Sequence, residues 1–122
     1  MKARILFVDD EAPIRELLSL YFRKKGCEVA TATTAREATA LAGQKQFALA
    51  ILDINLAGEN GLELLSYFKT NYPQLPVIIF TGLADDEDLL DQAMARGASG
   101  FMRKTQSLDE LFAVVQPYLA KP

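Results

Sequence analysis

The 122-residue chain contains no histidine, no tryptophan and one cysteine, Cys27. The absence of histidine excludes acid–base chemistry by imidazole and histidine metal ligands within the chain, which leaves carboxylates as the metal ligands. A single cysteine cannot form an internal disulfide, and this suits a reducing compartment. No apolar run approaches the roughly 18 residues that span a membrane, and the N-terminus does not read as a signal peptide. We therefore expect a cytoplasmic protein that does not engage a membrane.

The bulk composition is that of one ordinary folded domain. Hydrophobic residues make up 50% of the chain and charged residues 24%, which is enough apolar material for one core. The formal net charge is −3, so bulk electrostatics favour neither nucleic acid nor an anionic membrane surface. We expect a single domain over residues 1–122 that does not bind nucleic acid directly.

Short apolar runs alternate with amphipathic stretches along the chain. Continuous apolar runs are typical of strands that are covered on both faces of a parallel sheet. Three runs are strong and two are weaker: residues 5–8, 47–52 and 77–80, and then residues 27–31 and 98–102. The resulting five strand–helix units imply right-handed crossovers and helices on both faces. We predict an α/β fold, a flavodoxin-like (βα)5 doubly wound parallel sheet with strand order 2-1-3-4-5.

The stretches between the runs carry the spacing and the end signals of helices. Five apolar residues at helical spacing predict the buried face of the first helix: Ile14, Leu17, Leu18, Tyr21 and Phe22. Three capping side chains stand three residues before an acid: Thr34 with Glu37, Asn60 with Glu63, and Ser107 with Glu110. Glycines, which accept a left-handed turn at the end of a helix, are found at Gly26, Gly43 and Gly97.

Polar residues follow four of the predicted strands. The first strand is followed by the acids at positions 9–11, the third by Asp53, the fourth by Thr81 and Gly82, and the fifth by Lys104. In an open α/β sheet, ligands bind at the carboxyl ends of the strands. Because these four strands are neighbours in the predicted order, their polar residues should meet at one edge of the sheet. Each residue alone has an ordinary structural explanation, and the prediction depends on their combination.

Clustered carboxylates need a compensating cation. Two of them about 4 Å apart repel by roughly 4 kcal/mol at an effective dielectric near 20. Lys104 supplies one positive charge, and a divalent ion held by oxygen ligands, Mg²⁺ or Mn²⁺, would supply the rest. One carboxylate could then attack phosphorus and form an aspartyl phosphate. The metal, Lys104 and the Thr81 hydroxyl would stabilise the phosphoryl oxygens, and Gly82 would leave them room.

These motifs, taken together, resemble the receiver domain of two-component response regulators. The resemblance covers essentially the whole chain in order: residues 8–11, Asp53 leading into residues 61–64, residues 80–82, residues 97–101 and Lys104. It implies that Asp53 is the phosphoacceptor. It also implies that Asp10, Asp53 and the backbone carbonyl of Asn55 bind Mg²⁺ directly, with Asp9 acting largely through water. Thr81 and Lys104 would sense the phosphoryl group.

The resemblance also implies how the signal leaves the domain. A sensor histidine kinase or a histidine phosphotransfer protein would phosphorylate the domain. The domain itself would promote only its own phosphorylation and dephosphorylation. Thr81 would then shift toward the phosphoryl group, and Phe101 would turn inward with it. The face formed by the fourth helix, the fifth strand and the fifth helix would control an output domain or partner, and it allows a dimer that forms on phosphorylation. These are two states of one fold whose populations phosphorylation shifts.

The chain departs from the receiver pattern at two positions. Ala57 and Thr105 stand where receivers often carry proline. Because a non-proline cis bond costs roughly 2.5–4 kcal/mol, we predict a trans bond between Lys104 and Thr105. A non-proline residue there is familiar in the subfamily with helix-turn-helix outputs of the NarL/FixJ kind. We also expect Leu83, two residues after Thr81, to shield the phosphoryl group from water.

Three other functions remain open at this point. A flavin-binding flavodoxin shares the fold class, but the acids after the first strand would repel a flavin phosphate. A metal-dependent phosphatase would need a second acid near the nucleophile, and Asn55 cannot protonate a leaving group. A receiver-like module could also bind partners without being phosphorylated. Labelling of wild type but not of Asp53→Asn separates this last alternative from the phosphoacceptor.

Overall fold

The computed structural model describes residues 2–56, 59–82, 87–104 and 106–119. The strands are β1 (Arg4–Val8), β2 (Glu28–Ala32), β3 (Leu49–Leu52), β4 (Asn55–Leu56), β5 (Glu59–Asn60), β6 (Val77–Thr81) and β7 (Gly100–Arg103). The helices are α1 (Ala12–Lys24), α2 (Ala35–Gln44), α3 (Gly61–Asn71), α4 (Glu87–Ala95) and α5 (Leu108–Leu119). No helix in these ranges is both long enough and apolar enough to cross a bilayer.

Five parallel strands form the main sheet in the order β2-β1-β3-β6-β7. Counted among themselves along the chain, these strands follow the predicted order 2-1-3-4-5, and the flavodoxin-like fold is confirmed. The sequence did not predict β4 and β5, a pair of two-residue antiparallel strands in which Asn55 lies opposite Asn60. This small hairpin follows β3 directly and lies outside the main sheet, so it leaves the strand order unchanged.

Helices cover both faces of the sheet, and this explains why its strands are continuous apolar runs. Successive residues of β1 point to opposite faces, so Leu6 and Val8 join one hydrophobic cluster while Ile5 and Phe7 join the other. The first cluster includes residues of α2, α3 and α4, and the second includes residues of α1 and α5. Every residue of β3 is buried. The polar edge that carries the site is therefore fixed to a rigid core.

Local signals in the sequence correctly mark several helix ends. Thr34 Oγ1 accepts a hydrogen bond from the Glu37 N–H at 3.2 Å. At the start of α5, Ser107 and Glu110 form a reciprocal capping box: each side chain accepts the other's backbone N–H, at 3.1 and 3.0 Å. Gly26 and Gly97 have φ angles of +90° and +104°, as left-handed turns after α1 and α4 require. The side chain of Asn60 lies outside the described part of the structure.

Two details of the helix prediction are wrong. Gly43 does not end a helix by a left-handed turn, because α2 continues to Gln44 and then leaves through Lys45 in extended conformation. Leu17 is not part of the buried face of α1 but is 50% exposed. The helix packs against the sheet through the narrower stripe that includes Leu18 and Phe22, both 1% exposed.

Candidate functional site

The backbone ladder continues past the ends of β1 and β3 and sets two aspartates beside each other. Val8 pairs with Leu52 in the parallel register. The next residue of β3's segment, Asp53, donates its backbone N–H to the Val8 carbonyl at 3.0 Å, and Asp9 donates to the Ala32 carbonyl at 3.1 Å. Both aspartates are buried, at 0% and 3% exposure. The carboxyl ends of neighbouring strands thus bring two acidic side chains together, as the sequence predicted.

Each aspartate is held by a hydrogen bond within its own turn. Asp9 Oδ1 accepts the Glu11 N–H at 2.9 Å, and Asp53 Oδ1 accepts the Asn55 N–H at 3.1 Å. Arg15 strengthens the first turn by donating to the Asp9 carbonyl at 2.8 Å. Side chains that hydrogen-bond their own backbone two residues ahead stabilise such turns. The second oxygen of each carboxylate is therefore left to face the interior of the site.

Lys104 follows β7 at the same edge of the sheet and contacts three carboxylates. Its backbone N–H donates to the Thr81 carbonyl at 2.9 Å, which extends the pairing of β6 with β7. Its Nζ lies 2.9 Å from Asp9 Oδ2, 2.9 Å from Asp53 Oδ2 and 2.6 Å from Glu11 Oε1. The side chain of Lys104 is 12% exposed, so one mostly buried ammonium faces three negative charges. The described cluster therefore carries a negative excess.

The protonation equilibria reflect this crowding. Burial raises the pKa of Asp9 and of Asp53 above the ordinary value, although the nearby Lys104 ammonium opposes the rise. Burial acts to lower the pKa of Lys104, but its contacts with the carboxylates of Glu11, Asp9 and Asp53 outweigh burial and raise that pKa. Lys104 is therefore charged at neutral pH. The two aspartates are costly to ionise together, and a further cation would relieve that cost.

The donor set fits a divalent cation. Oδ2 of Asp9 is buried and accepts no hydrogen bond from the described residues, even though Lys104 Nζ is near. Ligand oxygens of Asp9, Asp10, Glu11 and Asp53 all lie within 4.8 Å of one another. All-oxygen donors with room for water are what Mg²⁺ takes. Six residues line a cleft of about 190 Å³ here: Asp10, Glu11, Asp53, Asn55, Gly82 and Lys104. The cleft can thus admit an ion beside Asp53.

Two glycines shape the site in different ways. A Cβ on Gly82 would meet Lys104 Cδ at 3.7 Å, an ordinary contact, so Gly82 keeps the cleft open beside the lysine. A Cβ on Gly61 would lie 2.5 Å from both the Cα and the carbonyl oxygen of Ile54, and 2.7 Å from the carbonyl oxygen of Asp53. Glycine at position 61 therefore lets the N-terminus of α3 rest on the backbone that carries Asp53.

Most of the site residues predicted from the sequence meet in this cleft. Asp9, Asp10, Asp53, Asn55 and Lys104 are brought together. Thr81 is fully buried at the end of β6, adjacent to β3, and does not line the cleft. The predictions about Leu83, Ala57 and the Lys104–Thr105 bond fall on positions 83, 57 and 105, which lie outside the described residues.

Sequence reasoning missed the roles of two residues. It counted Glu11 in the acidic run but gave it no role, whereas its carboxylate makes the shortest of the three contacts with Lys104. Gly61 was predicted only as part of a motif. Its close approach to the Ile54 backbone depends on how α3 packs against the segment after β3. The run of acids after a buried strand is a signal that could have pointed to Glu11. The steric role of Gly61 leaves no signal in the sequence.

A partly exposed apolar surface lies at the far edge of the sheet. Phe101 is 37% exposed and Met94 is 44% exposed. The Arg103 guanidinium lies 5.6 Å from the centre of the Phe101 ring, a cation–π distance. These residues lie on α4 and β7, and β7 leads directly to Lys104. The cleft and this surface are therefore connected by one short strand.

The doubly wound sheet thus carries paired aspartates and a lysine at its carboxyl edge. The family of response regulator receiver domains matches residues 5–116. The chain is 36% identical over 110 residues to the alginate biosynthesis transcriptional regulatory protein AlgB of Pseudomonas aeruginosa, covering 90% of this chain and 24% of that protein.

Solved structures agree with this assignment. A CheY-like receiver domain protein from Methanospirillum hungatei superposes with a TM-score of 0.90 at 30% identity, over 98% of this chain and 94% of the other. NtrX from Brucella abortus gives a TM-score of 0.89 at 37% identity, over 98% of this chain and 27% of its own. The chain therefore belongs to the response regulator receiver domains, the phosphoacceptor modules of two-component systems. It spans about a quarter of the length of the first curated relatives it matches.

Proposed function

We propose that Asp53 is the phosphoacceptor of this receiver domain and takes its phosphoryl group from a phosphohistidine of a sensor kinase or phosphotransfer protein. The observation that carries the proposal is the placement of the Asp53 carboxylate, buried and held between the Asn55 N–H and Lys104 Nζ at the floor of a cleft. A carboxylate held in this way is oriented before the reaction, which lowers the entropic cost of attack.

The chemistry is a transfer of one phosphoryl group between two nucleophiles. An oxygen of Asp53 forms a bond to phosphorus as the bond from phosphorus to the donor's imidazole nitrogen breaks, and the imidazole keeps that electron pair. Lys104 offers positive charge to the phosphoryl oxygens, which carry most of the developing charge. Mg²⁺ would be held by Asp10, Asp53 and the Asn55 carbonyl, with Asp9 acting through water, and when bound it would neutralise further charge on those oxygens.

The resulting change would reach the partner surface through β6 and β7. Thr81 ends β6, the strand next to β3. Its hydroxyl would approach a phosphoryl group on Asp53, and Phe101 would turn inward into the space vacated by that movement. In the structure Phe101 is 37% exposed, as the outward state of this proposal would require. Phosphorylation would bias the equilibrium toward the inward state and change the face formed by α4, β7 and α5.

We infer that this face controls an output domain or a separate partner, and that it supports a dimer in the phosphorylated state. The domain acts as a switch that catalyses only its own phosphorylation and dephosphorylation. It would act in the cytoplasm, and neither nucleic acid nor a membrane is a direct ligand of this domain.

The test is the intact mass of the protein after incubation with acetyl phosphate or phosphoramidate. Wild type should gain a single phosphoryl group in Mg²⁺ and none in EDTA. Asp53→Asn should gain none, while Asp91→Asn, which changes an exposed aspartate of α4, should be labelled like wild type. No addition to wild type under any condition would overturn the proposal and leave a receiver-like module that binds partners without phosphorylation.

A further inference from the structure

Glu11 lies at the start of α1, where its backbone carbonyl accepts the Arg15 N–H at 3.1 Å but its side chain takes no part in the helix. It occupies the N-cap position, yet its side chain makes no capping hydrogen bond. Side-chain capping from this position is typical of the shorter side chains of Ser, Thr, Asp and Asn, and glutamate is not among them. The Glu11 carboxylate instead reaches across the mouth of the cleft, and its Oε1 lies 2.6 Å from Lys104 Nζ. The residues that precede and follow it are exposed or half-buried, so the side chain is free to take other positions.

Three carboxylate oxygens surround the ammonium nitrogen of Lys104: Glu11 and Asp53 accept hydrogen bonds from it, and Asp9 Oδ2 is an ion-pair partner. An ammonium has three N–H donors, and three carboxylates lie within 2.9 Å of its nitrogen. A phosphoryl group on Asp53 brings new oxygens that need at least one of those donors. Because three carboxylate oxygens already lie within 2.9 Å of the nitrogen, one of them must move away when the phosphoryl group arrives.

Glu11 is the partner that can leave at the least cost. Asp9 and Asp53 are buried and fixed by their own turns. The Glu11 side chain is 57% exposed, so that it regains water when it lets go of the lysine. An exposed ion pair is worth little compared with a buried one that loses its partner. The exchange of Glu11 for a phosphoryl oxygen is thus the easiest change available to Lys104.

We propose that Glu11 is a displaceable internal anion that occupies, on Lys104, the place which a phosphoryl group on Asp53 takes. The proposal rests on Asp53 being the phosphoacceptor. Glu11 competes with the phosphoryl group for the lysine, and so it sets how readily the switch enters its phosphorylated state. The competition acts through contact with Lys104 and not through charge alone.

A different role for Glu11 gives different expectations. Its oxygen lies within 4.8 Å of those of Asp9, Asp10 and Asp53, so it has the position of a metal ligand as well. A metal ligand would weaken Mg²⁺ binding on removal and slow phosphorylation. Removal of a displaceable anion would make phosphorylation faster at saturating Mg²⁺, because Lys104 would no longer have to exchange one partner for another.

The experiment compares four proteins: wild type, Glu11→Gln, Glu11→Asp and Glu16→Gln. Glu11→Gln removes the charge and with it the ion pair with Lys104. Glu11→Asp keeps the charge but withdraws the carboxylate by one methylene. Glu16→Gln removes an exposed charge from the same helix without touching the cleft. The rate of phosphoryl addition from phosphoramidate is followed by intact mass at saturating Mg²⁺, and the Mg²⁺ affinity is measured separately by calorimetry. Urea unfolding checks that each variant is folded.

We expect both Glu11 variants to be phosphorylated faster than wild type by about two- to fivefold, the range that an exposed ion pair supplies. Glu16→Gln should be unchanged. Beryllofluoride, a phosphoryl mimic, should bind both Glu11 variants more tightly by a similar factor. If Glu11→Gln is faster and Glu11→Asp equals wild type, charge repulsion explains the effect and the proposal is wrong.

Two further outcomes also overturn it. Slower phosphorylation together with weakened Mg²⁺ binding would make Glu11 a metal ligand, and unchanged rates in both variants would leave it without a role in the reaction. In these cases wild type is still labelled on Asp53, so the proposed function survives. If wild type itself takes up neither a phosphoryl group nor beryllofluoride, it is the proposed function that has failed, and the role of Glu11 fails with it.

Discussion

Gly61→Ala tests whether α3 must rest directly on the backbone that carries Asp53. Of the six glycines in the described part of the chain, Gly61 alone would bring a Cβ closer than 3.0 Å to other atoms. The atoms in its way are the Cα and carbonyl oxygen of Ile54 and the carbonyl oxygen of Asp53, at 2.5, 2.5 and 2.7 Å. These are backbone atoms that cannot rotate aside, so either the helix or the segment after β3 must move.

The cost follows from two contributions. Forcing an extra methyl group into a packed region costs about 1–3 kcal/mol. The Gly61 N–H also donates to the Ile54 carbonyl at 2.8 Å, and loss of this hydrogen bond would add about 0.5–1.5 kcal/mol. We expect a loss of roughly 2–4 kcal/mol in the free energy of unfolding, against a total of about 5–15 kcal/mol for a domain of this kind. With a urea m-value of about 2 kcal/mol/M, the midpoint should fall by roughly 1–2 M.

The assay is urea unfolding followed by circular dichroism, with Gly43→Ala as the matched control. Gly43 is exposed in α2, and a Cβ there would meet only the Tyr72 hydroxyl at 4.0 Å. Alanine is favoured over glycine inside a helix by about 0.5–1 kcal/mol, so this variant should be more stable than wild type. The same methyl group should thus have opposite effects at the two positions.

Phosphorylation gives a second readout of Gly61→Ala. Displacement of the Asp53 backbone by about 1 Å can reduce a rate by as much as 10²-fold, so labelling of the folded variant should be slower than labelling of wild type. Normal stability and normal labelling of Gly61→Ala would refute the argument, since the close approach of α3 to Ile54 would then not be required.

Three further predictions concern titrating groups. Burial raises the pKa of Asp53, so the folded protein binds the carboxyl proton more tightly than the unfolded chain does. The stability gained from this proton is fully present below the ordinary pKa of 3.8 and is lost as the pH rises through the raised pKa. Asp53→Asn should therefore stabilise the metal-free protein near neutral pH, and urea unfolding in EDTA should show this gain shrinking toward about pH 4; a gain that is larger in acid would contradict it. The hydrogen bond from Tyr21 Oη to Asp109 Oδ1, at 2.7 Å, raises the pKa of Tyr21 to about 12. Asp109→Ala should return the pKa of Tyr21 toward 10 in an ultraviolet titration that uses Tyr21→Phe as the reference. An unchanged pKa in Asp109→Ala would count against the hydrogen bond. Burial raises the pKa of the Cys27 thiol, so an aromatic disulfide reagent should label it at once in denaturant and slowly in the native protein; rapid native labelling would disprove its burial.

The sequence by itself determined the fold and most of the candidate site. Continuous apolar runs are typical of strands that are covered on both faces of a parallel sheet. Five predicted strands joined by helical stretches indicated the flavodoxin-like strand order. Because each polar cluster follows a strand directly, the positions of Asp9, Asp53 and Lys104 along the chain already implied that they meet. Helix caps such as Ser107 were also predictable, because a cap depends on two residues only three positions apart in the chain.

The tertiary structure decided the features that depend on distances between separate elements. Leu17 has the spacing of a buried residue, but the width of the contact between α1 and the sheet leaves it exposed. The requirement for glycine at position 61 arises only where α3 meets the backbone of Ile54. The Glu11 side chain contacts Lys104 and does not cap its own helix. This contact depends on where the end of β7 places the ammonium. Such contacts join residues 7 and 93 positions apart in the chain. A sequence pattern reports the periodicity of its own segment, whereas the distance between two segments is fixed only when the core packs.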